Sequence, residues 1–396
     1  MPSKDAAGVA GSSVKSLPGV KGRGLPRVVI DAMGGDEGPE VTVQVAAAAS
    51  LQGQVSVLLV GDAERLDKLL QQQPHNAEFL SVVHLSAEDG ETSPERAAQV
   101  LAAGKADAMV TASHPRLVVE AATRHLAKLP HVVTPALAAV LPTARERGER
   151  QDPFSLLLDV GAGTHASAED LVSFALMGAA YARVISKNER PKVALLSNTR
   201  DPTRGPEAVV AAHKALLALS ESNPHLFDFL GNIAGHQLPT GEADVVVCEG
   251  FTGNVVMRLV EGVASAAMGL MRSASEQKLR WRVGLSMLSG GLAQLRQLTD
   301  WEQYGGAPLL GLTKPILVTH SNSGVRPFTN ALKLAVRTLR EDVTGQIQSI
   351  LAAEMSSALP PGARPDDARS DDASTDGAPQ PTPSSATPLA GDATGQ

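Results

Sequence analysis

The chain has one cysteine among 396 residues, Cys248, which excludes an internal disulfide. That thiol ends the apolar run Val245-Val246-Val247-Cys248, where a small buried side chain is the expectation and no neighbouring base marks a nucleophile. A basic excess is missing too. With 35 Lys and Arg against 42 Asp and Glu, the formal charge is −7, which argues against a general nucleic-acid binder. No uninterrupted apolar run reaches the roughly 18 residues that a bilayer span needs, so no membrane-spanning helix is expected. Met1 to Gly24 mix Gly, Ser, Lys and Ala without the apolar block of a secretory signal, and read as a disordered leader on a cytoplasmic protein. The histidines are scattered and no His/Cys/Glu spacing suits zinc, so no metal site is predicted. No repeat of solenoid period occurs.

What is present is ordinary globular composition, 43% hydrophobic and 19% charged, enough to bury a substantial core. From Leu25 onward, short apolar β-type runs alternate with longer Ala/Leu-rich runs of helical period, the rhythm of parallel strands joined by crossover helices. The expected class is α/β, with strands at Val28–Asp31, Val55–Val60, Ser81–Leu85, Asp107–Thr111, Ser155–Val160, Lys192–Ser197, Asp244–Cys248 and Ile316–Thr319. Helices are predicted at Ala168–Ser186, Pro206–Leu219 and Val325–Met355, the first capped by Ser167 with Asp170 three residues on. Gly253 to Thr299 lacks a strand pattern and reads as one or two helices interrupted near Ser289-Gly290-Gly291. Beyond about Leu359 the composition turns to Pro, Ala, Asp, Ser, Thr and Gly, which cannot repay the entropy of ordering. One α/β domain over residues 25–358 and a disordered tail over 359–396 are therefore expected.

Three segments could carry chemistry. Val28 to Glu40 reads as strand, glycine-rich turn and helix opening at Pro39. Paired Gly34 and Gly35 let backbone amides approach an anion, although Asp31 and Asp36 oppose one unless they meet its protonated form, a metal or a base. A tight turn without ligand is an equally good reading, since this is neither a Walker loop nor a dinucleotide fingerprint. Ala243 to Asn254 repeats the arrangement, with Gly250, Thr252, Gly253 and Asn254 at a strand end, the place where open α/β sheets bind ligands. Thr252 and Asn254 could donate to an oxyanion there, or cap the next helix. Last, Trp301 to Gly311 precedes a strand that ends at His320-Ser321-Asn322-Ser323-Gly324, where the imidazole could bind phosphate, act as acid or base, or be structural.

Taken in order, DAMGGDEGP (31–39), LLSN (195–198), Gly231-Asn232-Ile233, EADVVVCEGFTGN (242–254) and YGGAPLLG (304–311) resemble the acyl-carrier-protein:phosphate transacylase family, usually called PlsX, from Leu25 to about Met355. The resemblance implies a doubly wound, mostly parallel sheet like that of isopropylmalate dehydrogenase and phosphotransacetylase, with a protruding helical segment over about 253–300 and a homodimeric assembly. It implies transfer of a fatty acyl group from acyl carrier protein to inorganic phosphate, with no metal or redox cofactor. The acyl phosphate would supply a glycerol-3-phosphate acyltransferase in phospholipid synthesis. Under this reading His320, Asn254 and Asp36 are the catalytic candidates. Asp31, Gly34, Gly35, Gly250, Thr252, Gly253 and Ser323 surround phosphate, and Asn198 and Asn232 form polar wall. Arg272, Lys278, Arg280, Trp281 and Arg282, on a basic amphipathic segment, would meet acidic acyl carrier protein or the inner membrane surface, or pack in the dimer.

Several turns depart from the family pattern. Thr111-Ala112-Ser113-His114-Pro115-Arg116-Leu117 stands for an S-A-G-N-T-G-A type turn, Gly161-Ala162-Gly163-Thr164-His165-Ala166 for G-A-N-V-D-C, Asn198-Thr199-Arg200-Asp201-Pro202 for an N-G-E-E type run, and His320-Ser321-Asn322-Ser323-Gly324 for H-G-S-S-N. A lysine-rich K-K-D-S-S stretch is absent between Glu95 and Ala102. The second functional reading is thus a catalytically impaired homologue that binds acyl carrier protein as a regulator or scaffold.

Overall fold

The computed structural model describes residues 24–85, 90–145, 154–277, 279–288, 290 and 305–358. The predicted leader, except Gly24, the tail and Lys278 lie outside them, as does most of the predicted interruption at 289–291.

Among the described residues eleven strands form one sheet: β1 Arg27–Asp31, β2 Ser56–Gly61, β3 Leu80–His84, β4 Ala108–Thr111, β5 Ala136–Pro142, β6 Phe154–Leu158, β7 Lys192–Leu196, β8 Asp228–Ile233, β9 Val245–Val247, β10 Ala307–Leu310 and β11 Ile316–Val318. Their order is β3-β2-β1-β4-β11-β10-β5-β6-β9-β7-β8. The first five in that order are mutually parallel, and so are the last four. Between them β10 and β5 pair antiparallel with their neighbours, so the two parallel blocks run in opposite directions. The sheet is mostly parallel, as expected, and is built in two halves.

Helices cover it: α1 Pro39–Gln52, α2 Ala63–Leu70, α3 Ser93–Ala102, α4 Pro115–His125, α5 Ala168–Ile185, α6 Glu207–Ser222, α7 Gly250–Gln277, α8 Leu279–Met287, α9 Val325–Arg340 and α10 Val343–Ala358. Continuous apolar strands follow from this covering, since Val28, Val29 and Ile30 of β1 are all fully buried. In the second half α5 is buried on most of its faces, with Phe174, Met177 and Ala180 packed against β6, β7 and β9. Burying Phe174 alone contributes about 2–3 kcal/mol. In the first half α1 and α9 cover β1, β2 and β4 through Val43, Ala46, Phe328 and Leu332.

Every strand expected from sequence forms, but β5, β8 and β10 were not anticipated, each for a local reason. Alanine-rich β5 ends on Pro142, β8 carries Gly231 at φ 82° beside a register shift, and β10 is a four-residue strand holding Pro308. The single helix expected over Val325–Met355 is two. Asp342 adopts φ 49° between α9 and α10, and its carboxylate fills the space over Gly345, where a Cβ would lie 2.5 Å from Oδ2.

The 28-residue α7 is long and apolar enough to cross a bilayer by length and composition, which no uninterrupted run foretold. Its start is nevertheless built into the protein, because Gly250 and Gly253 are buried. Farther along it presents Val255, Leu259, Val263 and Leu270 outward, each at least 47% exposed.

Ser167 caps α5 as predicted. Its hydroxyl accepts from the Asp170 amide at 3.1 Å, and the Asp170 carboxylate accepts from the Ser167 amide at 3.0 Å. Ser167→Ala should lower unfolding free energy by about 1 kcal/mol, read as a lower urea midpoint with unchanged slope.

Candidate functional site

The strand ends of the first half meet around Asp31, the last residue of β1 and completely buried. A carboxyl group is tolerated there only if its oxygens find hydrogen-bond partners. Oδ1 accepts the amides of Met33 at 3.2 Å and Gly34 at 3.1 Å, while Oδ2 accepts the hydroxyls of Thr111 at 2.7 Å and Ser113 at 2.6 Å. Asp31 thereby stitches the turn after β1 to the turn after β4. Gly34 is required by the closeness of that join, since a Cβ would fall 2.5 Å from Ser113 Oγ. Gly35 has φ +89° and leans on a third turn, after β11, with space for no Cβ beside the Ser321 carbonyl at 2.8 Å. The Asp36 amide donates to that carbonyl at 2.6 Å, and the Asp36 carboxylate accepts from Ser321 Oγ at 2.7 Å.

The second half uses the same device. Asp159, just past β6 and 1% exposed, accepts the amides of Leu137, Gly161, Ala162 and Gly163 at 2.9–3.0 Å. Burial pushes this carboxyl above the ordinary range, while the four backbone donors pull it back down. The start of α7 rests on this turn, so closely that a Cβ on Gly250 would lie 2.5 Å from Asp159 Oδ2. Cys248 is buried beneath, where desolvation raises its thiol well above the usual value, in keeping with an inert core sulfur.

Helix α7 connects the halves. Glu249 caps its start, accepting from the amide of Thr252 at 3.3 Å and from the Thr252 hydroxyl. Asn254 lies over Gly161. One turn on, Arg258 Nη1 donates to His320 Nε2 at 2.6 Å, which ties α7 to the turn after β11. A guanidinium can only donate, so Nε2 is the acceptor in this contact. Arg258 also lies 3.5 Å from Glu261. Ser323 is buried next to this pair, its amide donating to the His320 carbonyl at 3.0 Å.

Of the residues singled out from sequence, Asp31, Gly34, Gly35, Asp36, His320 and Ser323 come together in one group of turns, and Gly250, Thr252, Gly253 and Asn254 at the start of α7. Asn198 and Asn232 sit apart, after β7 and in β8. Asn232 pairs with His213 at 2.9 Å and reaches the Asp201 carbonyl at 3.5 Å, and Asn198 stays beside Ser197 at 3.3 Å. Arg272, Arg280, Trp281 and Arg282 lie on exposed stretches of α7 and α8.

Two contributors escaped the sequence reading, Asp159 and Arg258. Each had a signal: Leu156-Leu157-Leu158-Asp159-Val160-Gly161 echoes Val28-Val29-Ile30-Asp31, and Arg258 falls four residues after Asn254 on one helix face. The divergent turn after β4 is also well formed. Pro115 occupies the first position of α4, where its missing amide hydrogen costs nothing, and the His114 ring accepts from the Arg116 amide at 3.3 Å. Arg116 itself is turned to Glu120 at 2.8 Å.

Residues 26–346 match a family model described as "Fatty acid synthesis protein". Named phosphate acyltransferases align over most of their length. That of Thermodesulfovibrio yellowstonii is 32% identical over 82% of this chain and 94% of its own, and that of Gloeobacter violaceus is 34% identical over 83% and 98%. This chain belongs to the phosphate acyltransferase, or PlsX, family. Among solved structures, a phosphotransacetylase from Streptococcus pyogenes superposes with a TM-score of 0.54 at 16% identity, covering 82% of this chain and 94% of that one. The PlsX chain thus shares its fold with that phosphotransacetylase.

Asp159 gives a pH signature. Its folded carboxyl holds the proton above the ordinary value of 3.8, so the folded state binds more protons than the unfolded chain in that window. Its contribution to stability is then present below 3.8 and lost as pH rises through the raised folded value. The difference in urea midpoint between wild type and Asp159→Asn should shrink with rising pH across this window and level off above it.

Proposed function

We propose that this protein transfers a fatty acyl group from the thioester of acyl carrier protein to inorganic phosphate. Family membership supports transfer to phosphate, and the observation that carries the assignment of the site is the Arg258–His320 contact between the two halves. The backbone amides of Gly34 and Gly161 to Gly163 are turned inward onto Asp31 and Asp159, so they do not cradle an anion. A cationic side chain takes that role instead. Arg258 holds phosphate at the His320 and Ser323 end, and Asn254 donates to the thioester oxygen as it becomes an oxyanion.

A phosphate oxygen attacks the thioester carbon, the new C–O bond forms, and the tetrahedral intermediate collapses with breakage of the C–S bond. When Arg258 turns to phosphate, His320 Nε2 is released to take the phosphate proton and pass it to the departing sulfur. Asp36 orders the turn beneath through Ser321. Most of the rate enhancement comes from holding two reactants together, because phosphate is already ionised at neutral pH. The exposed apolar and basic stretch of α7 and α8 is the docking and dimer surface, with Arg272 and Arg280 facing acidic acyl carrier protein at the cytoplasmic side of the membrane. The acyl phosphate then passes to a glycerol-3-phosphate acyltransferase.

One observation favours the second reading, a regulator with impaired catalysis: the Glu249 carboxylate already occupies the amide of Thr252 at the positive end of α7. Direct measurement of acyl phosphate from purified protein, long-chain acyl carrier protein and phosphate separates the two. Phosphate-dependent product is expected; carrier binding without product would establish the regulator.

Within that assay, Arg258→Gln should raise the KM for phosphate at least about 10-fold, and His320→Ala should lower kcat by about 10²-fold with a smaller effect on KM. Arg272→Glu with Arg280→Glu should raise the KM for acyl carrier protein several-fold and leave the KM for phosphate alone. Equal loss on both substrates would place those arginines in general packing.

A further inference from the structure

Helices α1 and α9 both begin at the crevice turns, α1 at Pro39 and α9 at Val325, and run back along the sheet side by side. At about 1.5 Å per residue, their far ends lie roughly 20 Å from those turns. Between those ends, roofed by the segment entering β2, is a cavity of about 490 Å³ that opens to solvent. That size lies in the range of small-molecule sites.

The cavity has two kinds of wall. Val45, Val55 and Leu332, all at most 5% exposed, make an apolar floor, which Ala48 and Val336 extend toward solvent. Around them stand Lys333, Arg337 and Arg340, with Glu341 as the sole carboxylate among the described residues of the lining. Glu341 is already paired with Arg337 at 3.0 Å, and Arg337 also donates to the Ile185 carbonyl. Among the described residues Arg340 makes only a 3.5 Å contact, to the Gln54 carbonyl, and neither it nor Lys333 has a carboxylate partner. Arg340 complements the negative end of α9, but Lys333 stands two turns earlier, where the helix dipole gives no reason for a cation.

We propose that this cavity binds a single-chain amphiphile with an anionic head, the chain on the Val45–Val55–Leu332 floor and the head between Lys333 and Arg340. Both sides of the site match that chemistry. Neutral apolar ligands would leave the two cations unanswered, and hydrophilic anions would leave the floor wet. The shared chemistry belongs to fatty carboxylates and to alkyl or acyl phosphates alike. Because the pocket walls are α1 and α9, an occupant would report its concentration to the two helices that carry the crevice turns at their other ends.

Calorimetric titration of the full chain with dodecyl phosphate below its micelle threshold tests this, with dodecanoate and dodecyltrimethylammonium in parallel. Saturable one-to-one binding of dodecyl phosphate, dodecanoate or both is expected, the tighter of the two naming the natural head group, with none of the cationic amphiphile. Affinity should fall at least 10-fold in Lys333→Glu/Arg340→Glu, and likewise in Ala48→Trp, which fills the open end from an exposed position. Arg258→Gln, in the crevice, should bind as wild type. Wild-type affinity in both cavity variants, equal binding of the ammonium compound, or loss of binding in Arg258→Gln would overturn the proposal. Acyl phosphate formation is measured separately, so failure of the acyl-transfer reading leaves this result standing, and the reverse.

Discussion

A buried carboxylate at the end of a strand is an expensive object, and this protein has one in each half of its sheet. Asp31 and Asp159 are each given four donors in the interior, and satisfying these two carboxyl groups dictates the surroundings. The chain after β1 must fold back so that Met33 and Gly34 reach Asp31, β4 must supply Thr111 and Ser113, and the chain after β6 must coil tightly so that three consecutive amides reach Asp159. Gly34 and Gly250 are then forced, since the carboxylates leave no space for a side chain. The crevice is a by-product of these two knots, and α7, resting on one and bonded to the other through Arg258 and His320, holds them together.

That view changes the meaning of the glycine-rich turns. Their composition suits an amide cradle for phosphate, yet the structure aims the amides at the protein's own carboxylates. In the proposed mechanism the positive charge that phosphate needs comes from a side chain on a helix. Such a site tolerates drift in the turns better than an amide nest would. The divergent segment after β4 illustrates this, because its Thr111 and Ser113 retain the hydroxyls that Asp31 requires while His114-Pro115 opens α4 without an unpaired donor.

Much of the fold was legible because strands buried on both faces must be apolar throughout and surface helices must be periodic. The strands that escaped notice break those rules locally: β8 contains Gly231-Asn232, which reads as a turn, and β10 contains Pro308. The separation of α9 from α10 was hidden because apolar periodicity continues on either side of Asp342. In the site, residues adjacent in sequence to a glycine turn were easy to find, while Arg258 was not. Its importance depends on His320, 62 positions away, and no local pattern encodes that distance.

By itself the sequence determined the α/β class, the family, the capped start of α5, the buried state of Cys248 and the strand ends that carry the polar glycine turns. These follow from local burial and from motifs that survive in order. Only the tertiary structure decided that the sheet is two opposed parallel blocks, that Asp31 and Asp159 face inward to organise turns, and that Asn232 answers to His213 while Arg258 answers to His320. Those outcomes depend on which groups become neighbours once apolar faces have been buried, and on the need of every buried charge to find its donors there.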